Sequence, residues 1–161
     1  MTIRVAILTI SDAGARGERA DGSGDAIAAW VAAREYLLGA RTLVADEIAA
    51  ISTTLSQWAA SDSIDLILTT GGTGLTLRDV TPEATRAVLE REAPGIAEAL
   101  RMTVYPRFHR AALSRGVAGT RGRTLIVNLP GSTGGVKDGL AVLDDLVPHA
   151  VALLRGTGTD H

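Results

Sequence analysis

The stretch Thr69 to Glu83, reading TTGGTGLTLRDVTPE, holds the residue types and spacing closest to chemistry in this 161-residue chain. An apolar run, Ile64 to Leu68, empties into a turn carrying Gly71, Gly72 and Gly74, and a single acid, Asp79, follows. Glycine reaches backbone angles closed to other residues and leaves no side chain between amide N–H groups and an incoming anion. Thr73 and Thr76 add hydroxyls to those donors. A carboxylate is a poor phosphate binder by itself, yet beside phosphate-directed amides it supplies what a Mg²⁺ bridge requires. The chemistry on offer is metal-assisted work on a phosphate; the plain alternative is a loop that needs glycine only to turn.

Two further apolar runs end in the same way. Thr124 to Asn128 opens into Leu129-Pro130-Gly131-Ser132-Thr133-Gly134-Gly135, and Ile3 to Ile10 ends in Ser11-Asp12-Ala13-Gly14. Ligands of an open α/β sheet sit at the carboxyl ends of its strands, so three such turns predict one shared crevice. Asp46, after a fourth run, has the same opportunity. Spacing leaves a capping role open for each acid: Asp46 with Glu47 before a helix, Asp12 with Ser11 in a turn, and Asp79 as a helix N-terminal charge beside Thr81.

Familiar nucleotide motifs fail on inspection. Gly131-Ser132-Thr133-Gly134-Gly135-Val136-Lys137-Asp138 approaches a P-loop, but valine stands at the second glycine and aspartate at the metal-binding hydroxyl. Gly22-Ser23-Gly24 and Gly72-Thr73-Gly74 lack the third glycine of the dinucleotide fingerprint. No Gly-x-Ser-x-Gly elbow supports a serine hydrolase, and His109, His149 and His161 lack metal-ligand spacing. Without cysteine there is neither disulfide nor thiolate metal site. A net charge of −2, scattered basic residues and 3% aromatics argue against nucleic acid as partner. The chain opens directly on a strand pattern and carries no apolar run of membrane-spanning length, so a cytoplasmic protein with no membrane partner is expected.

The elements that must position these residues follow from pattern. Ile3 to Ile10 reads as a strand covered on both faces. Ala13 to Gly24 reads as a loop, followed by a helix capped by Asp25, with Ile27, Trp30, Val31 and Tyr36-Leu37 inward and Gly39 at its end. A strand from Arg41 to Ala45, a helix from Ile48 to Ala60 with Ile51, Leu55 and Trp58 inward, and a strand from Ile64 to Thr69 come next. Both tryptophans read as core anchors. Thr81-Pro82-Glu83 starts a helix, Pro94 a second that Pro106 interrupts. Between Ala111 and Val127 the expectation is a hairpin turning at Thr120-Arg121-Gly122, then a helix from Gly135 to Leu154 and a frayed tail, Gly156 to His161. One α/β domain over residues 1–161 is expected, its sheet mostly parallel with one antiparallel hairpin.

Thr70 to Thr85 (TGGTGLTLRDVTPEAT), Asn128 to Ser132 (NLPGS), Thr9 to Asp12 (TISD) and Ser114 to Gly119 (SRGVAG) together resemble the MogA/MoaB family of molybdenum-cofactor biosynthesis proteins. The likeness runs through nearly the whole chain; Leu77 departs from it, standing where relatives commonly have proline. The resemblance implies the three-layer α/β/α sandwich of the molybdopterin-binding fold, assembled as a homotrimer or a hexamer. It implies Mg²⁺ as cofactor and molybdopterin and ATP as substrates: AMP is transferred to the terminal phosphate of molybdopterin and pyrophosphate leaves. By position in the motifs, Asp79 and Asp46 match the family's functional acids, with catalytic and metal-binding roles. Ser11, Asp12, Gly71, Gly72, Thr73, Gly74, Pro130, Gly131 and Ser132 match its ligand-binding turns, and Asp21, Ser23 and Gly24 lie over the nucleotide. Transient contact with other molybdenum-cofactor proteins is also implied. The alternative is a member that binds molybdopterin without adenylating it and serves assembly or delivery.

Overall fold

Alternation along the strands divides the core in two. In β1 (Arg4–Ile10), Val5 and Ile7 face one hydrophobic cluster while Ala6, Leu8 and Ile10 face another, and all five are essentially buried. A strand with apolar residues on both sides must be covered on both sides, which demands helices above and below the sheet. The computed structural model, which describes residues 2–157, has that arrangement.

After β1 come α1 (Asp12–Ala15), α2 (Gly22–Ala33), β2 (Leu37–Val44), α3 (Ile48–Ala60) and β3 (Leu66–Thr70). The second half contains α4 (Thr81–Val88), β4 (Arg91–Glu92), α5 (Pro94–Val104), a 3₁₀ turn (His109–Leu113), β5 (Ala118–Arg121), β6 (Thr124–Leu129) and α6 (Thr133–Arg155). Six strands form one sheet in the order β2-β1-β3-β6-β5-β4. The first four are mutually parallel, and β5 runs antiparallel to both β6 and β4. Helices α2 and α6 pack on one face with Ile27, Trp30, Leu140 and Val147; α3 and α4 cover the other with Ile51, Leu55, Ala84 and Val88. Among the described residues no helix is long and apolar enough to cross a membrane.

The fold class and the buried strands agree with expectation, and three boundaries are corrected. Helix α2 starts at Gly22 with Asp21, not Asp25, as its cap, because the Asp21 carboxylate accepts the Gly24 N–H at 3.0 Å. It ends at Ala33, not near Gly39: Glu35, at φ 57°, reverses the chain and the Leu37 N–H joins Ile3 in the sheet. Tyr36 still packs on the core, edge-on to Trp30, which is why it reads as part of the helical stripe. The resulting β2 is an exposed edge strand that gives no buried-strand signal. Ala111 lies in the 3₁₀ turn, and the hairpin turns one step later than expected, at Gly122-Arg123. Residues 158–161, which hold most of the expected frayed tail and His161, lie outside the described residues.

Candidate functional site

Parallel strands β1, β3 and β6 end side by side, so their following turns are forced together at one edge of the sheet. Gly71 makes this close approach possible: it sits at φ 98°, and a β-carbon there would lie 2.2 Å from the Ile10 carbonyl oxygen. Gly72, at φ 67°, is pressed against Thr81 and Asp46, where a β-carbon would lie 2.2 Å from Thr81 Oγ1 and 3.0 Å from Asp46 Oδ1. Thr81 then closes the loop base, its N–H donating to Gly72 O at 3.1 Å and its hydroxyl to Gly71 O at 2.9 Å.

The crevice between these turns has a volume of about 380 Å³. Ser11, Asp46, Asp79 and Ser132 all line it, together with Gly71, Gly72 and Gly131. Asp21 and Ser23 line it from the other side, while Gly24 is buried beneath them. A second cavity of about 290 Å³ adjoins it and is largely apolar, with Leu100, Val104, Phe108 and Pro130 in its wall. Thr73 and Gly74 border this second cavity, and Ser132 belongs to both.

Each acid has a distinct arrangement. Glu47, not Asp46, is the residue before α3, and no side chain caps that helix. The Asp46 carboxylate instead accepts the Asp12 N–H at 2.9 Å, and the Asp46 N–H donates to Asp12 Oδ1 at 3.0 Å. Burial pushes the Asp46 carboxyl up from its usual value, and the charges of Asp12 and Asp79 add to the effect. Asp12 does not line the crevice; it buttresses Asp46 from behind and takes a two-point ion pair from Arg78, both contacts at 2.9 Å. Arg78 therefore holds the Asp12 carboxyl below the usual range, with the Asp46 N–H assisting. Asp79 Oδ2 accepts from the Thr76 N–H at 3.0 Å and the Thr76 hydroxyl at 2.8 Å, so that hydroxyl is committed to the acid and not to a ligand. Ser11 and Ser132 cap the helices that follow them, accepting from Gly14 and Gly135.

Among the described residues no group of three or more His, Cys, Asp or Glu side chains could hold a metal ion as a closed site. Two carboxylates, Asp46 and Asp79, facing one crevice beside Gly71 and Gly72 fit a cation that takes its remaining ligands from a bound phosphate. Arg78 and Arg115 are contributions that sequence reading passed over, because their acceptors lie far away in sequence; Arg115 reaches the glycine loop across 41 residues. Their one sequence signal is position: Arg78 stands in the TGGTGLTLRDVTPEAT run and Arg115 in SRGVAG.

A family model described as "Probable molybdopterin binding domain" matches residues 6–153, which takes in every turn just described and all of the sheet but the first two residues of β1. The chain belongs to the MogA/MoaB family. Among solved structures of that family, the molybdopterin biosynthesis enzyme MoaB from Thermus thermophilus superposes with a TM-score of 0.91 at 50% identity, covering 96% of this chain and 98% of that one. The molybdopterin adenylyltransferase of Helicobacter pylori strain J99 is 39% identical over 159 residues, 96% of this chain and 89% of the relative. The molybdenum cofactor synthesis protein cinnamon of Drosophila melanogaster is 40% identical over 156 residues; 95% of this chain aligns with only 26% of that longer protein.

Proposed function

We propose that this protein acts in molybdenum-cofactor biosynthesis as a Mg²⁺-dependent molybdopterin adenylyltransferase. The observation that carries the reading is the convergence of Ser11, Asp46, Asp79 and Ser132 on one polar crevice beside an apolar cavity. The name of the Helicobacter pylori relative supports it. ATP and the phosphate of molybdopterin occupy the polar crevice, and the pterin ring system takes the apolar cavity against Phe108 and Pro130. Ser132, shared by both walls, stands where the two substrates meet.

The terminal phosphate oxygen of molybdopterin forms a bond to the α-phosphorus of ATP while the bond from that phosphorus to the bridging α,β-oxygen breaks and pyrophosphate departs. An anionic phosphate oxygen needs no general base, and neither His109 nor His149 lines either cavity. The protein's task is positioning and charge neutralisation. Asp46 and Asp79 would hold Mg²⁺ together with substrate oxygens, and the bound cation offsets the charge gathering on the α-phosphate and the leaving group. Gly72 keeps the approach to Asp46 clear.

The test is incubation of purified protein with molybdopterin, Mg²⁺ and α-labelled ATP. Labelled, adenylated pterin is expected, and Asp79→Asn should lower turnover by about a hundredfold, the scale of one lost charge-stabilising contact, while remaining folded. Folded protein that yields no adenylated pterin overturns the enzyme reading in favour of binding and delivery alone. The same reading takes the active form as a homotrimer or a dimer of trimers, consistent with apolar side chains left open on the single chain outside both cavities, such as Leu37, Ile48 and Met102. Sedimentation equilibrium should give three or six times the chain mass; a monomer would contradict it.

A further inference from the structure

The loop that carries Asp79 has almost no apolar anchor: Leu75 is 64% exposed and Leu77 is 99% exposed. Its near-side contacts run from Thr76 to Asp79, from Thr81 to Gly71 and Gly72, and from Arg78 to the Asp12 carboxylate. On its far side one residue does the holding. The Arg115 N–H donates to Thr73 O at 2.8 Å, Nε to Gly74 O at 2.8 Å, and Nη2 to Asp79 O at 2.7 Å. Nη1 meets the Glu83 carboxylate in the first turn of α4 at 2.5 Å. One planar guanidinium thus spans the loop's entry, its exit and the helix that follows. We infer that Arg115 is a positioning residue for Asp79, fixing the glycine loop from behind so that the carboxylate is presented to the crevice and its metal-phosphate ligand.

Three features favour this over a generic packing role. The two backbone carbonyls its side chain binds, Gly74 O and Asp79 O, bracket the segment Leu75 to Arg78 and include the acid's own carbonyl, so their separation sets the shape of the loop. The contacts are charge-assisted and need a fixed fork geometry, which an ammonium group cannot reproduce at three separated acceptors. Arg115 lines neither the crevice nor the apolar cavity; it faces a pocket on the far side of the loop with Arg86 and Arg101. Any effect on the site must therefore pass through the loop.

This inference rests on the proposed metal-phosphate role of the crevice, and its test is arranged to separate the two. Arg115→Lys keeps the charge and loses the fork; Glu83→Gln keeps the arginine and loosens one of its partners. Deuterium exchange of the ligand-free proteins is expected to speed up for amides between residues 73 and 79 in Arg115→Lys, and by less in Glu83→Gln, with the strands unchanged. Binding of Mn²⁺·ATP, followed by electron paramagnetic resonance, should weaken about tenfold to a hundredfold in Arg115→Lys, the range for residues that orient a metal's ligands. In turnover, kcat and the Mg²⁺ dependence should move more than KM for molybdopterin, since the loop's acid faces the crevice while only Thr73 and Gly74 of the loop reach the apolar cavity. Unchanged exchange and unchanged Mn²⁺·ATP binding in Arg115→Lys would overturn the positioning role, as would a uniform loss of exchange protection throughout the fold. A wild-type protein that binds Mn²⁺·ATP and responds to Arg115→Lys, yet forms no adenylated pterin, would sink the adenylyltransferase reading and leave this inference standing.

Discussion

Asp12 and Asp46 exchange backbone N–H donors through their carboxylates, and this reciprocal pair gives two chemically identical side chains different work. Asp12 is neutralised by Arg78 and does not line the crevice, whereas Asp46 is half-buried, lines it and carries no ion pair among the described residues. A folded-state carboxyl raised above its ordinary value costs stability above the folded value, and that cost fades as pH falls toward the ordinary value of about 3.9. Asp46→Asn is therefore expected to raise the thermal midpoint of the metal-free protein at pH 8, with the gain shrinking toward pH 4. Melting curves in chelator over that range would check it; a variant that melts lower than wild type at pH 8 contradicts the assignment. At this scale the candidate residues were legible because glycine, acid and hydroxyl types cluster at strand ends. Their division of labour was not: a cap and a crevice-facing acid look alike in a sequence, and only the absent cap bond at α3 separates them.

Elements buried on both sides announced themselves through unbroken apolar runs, as in β1, β3 and β6. Those that failed to do so were stabilised by something other than burial. The edge strand β2 is held by its pairing with β1, and the start of α2 by the Asp21 cap, with Thr9 and Arg41 also donating to that carboxylate. Asn128 shows how one side chain couples elements. Its amide donates to the Thr69 and Thr85 hydroxyls at 2.9 and 3.0 Å and its carbonyl accepts the Val117 N–H at 3.1 Å, joining β6 to β3, α4 and the approach to β5. Asn128→Ala would leave buried polar groups short of partners, at about 1–3 kcal/mol for each one left unsatisfied. A loss of at least about 2 kcal/mol in denaturant unfolding is expected. A change within about 0.5 kcal/mol, typical of a surface site, would show that the network is slack.

For the molecule as a whole, the far end of the sheet is tied by Asp65, which is 2% exposed. Its carboxylate accepts from the Arg4 N–H at 2.8 Å, from the Arg4 side chain at 2.9 Å and from Arg155 at the end of α6. Burial alone would push this carboxyl up, but the hydrogen bonds from Arg4 and Arg155 outweigh it and hold it well below the usual carboxylate range. Stabilisation from a depressed carboxyl is present above its unfolded value and is lost as pH falls below it. Asp65→Asn should therefore cost about 3–5 kcal/mol near pH 7, the scale of a broken buried ion pair, and its deficit should narrow below about pH 4. Denaturant unfolding at pH 7 and pH 3 measures both; equal deficits at the two values would refute the electrostatic account. Arg155 also donates to Thr2 O at 2.8 Å, so the first and last turns of the described fold meet at one point, behind the sheet and away from the crevice. A unit whose entry and exit coincide can be spliced into a larger polypeptide through a single doorway without disturbing its working edge. That geometry suits a fold whose Drosophila relative embeds it as 26% of a longer chain.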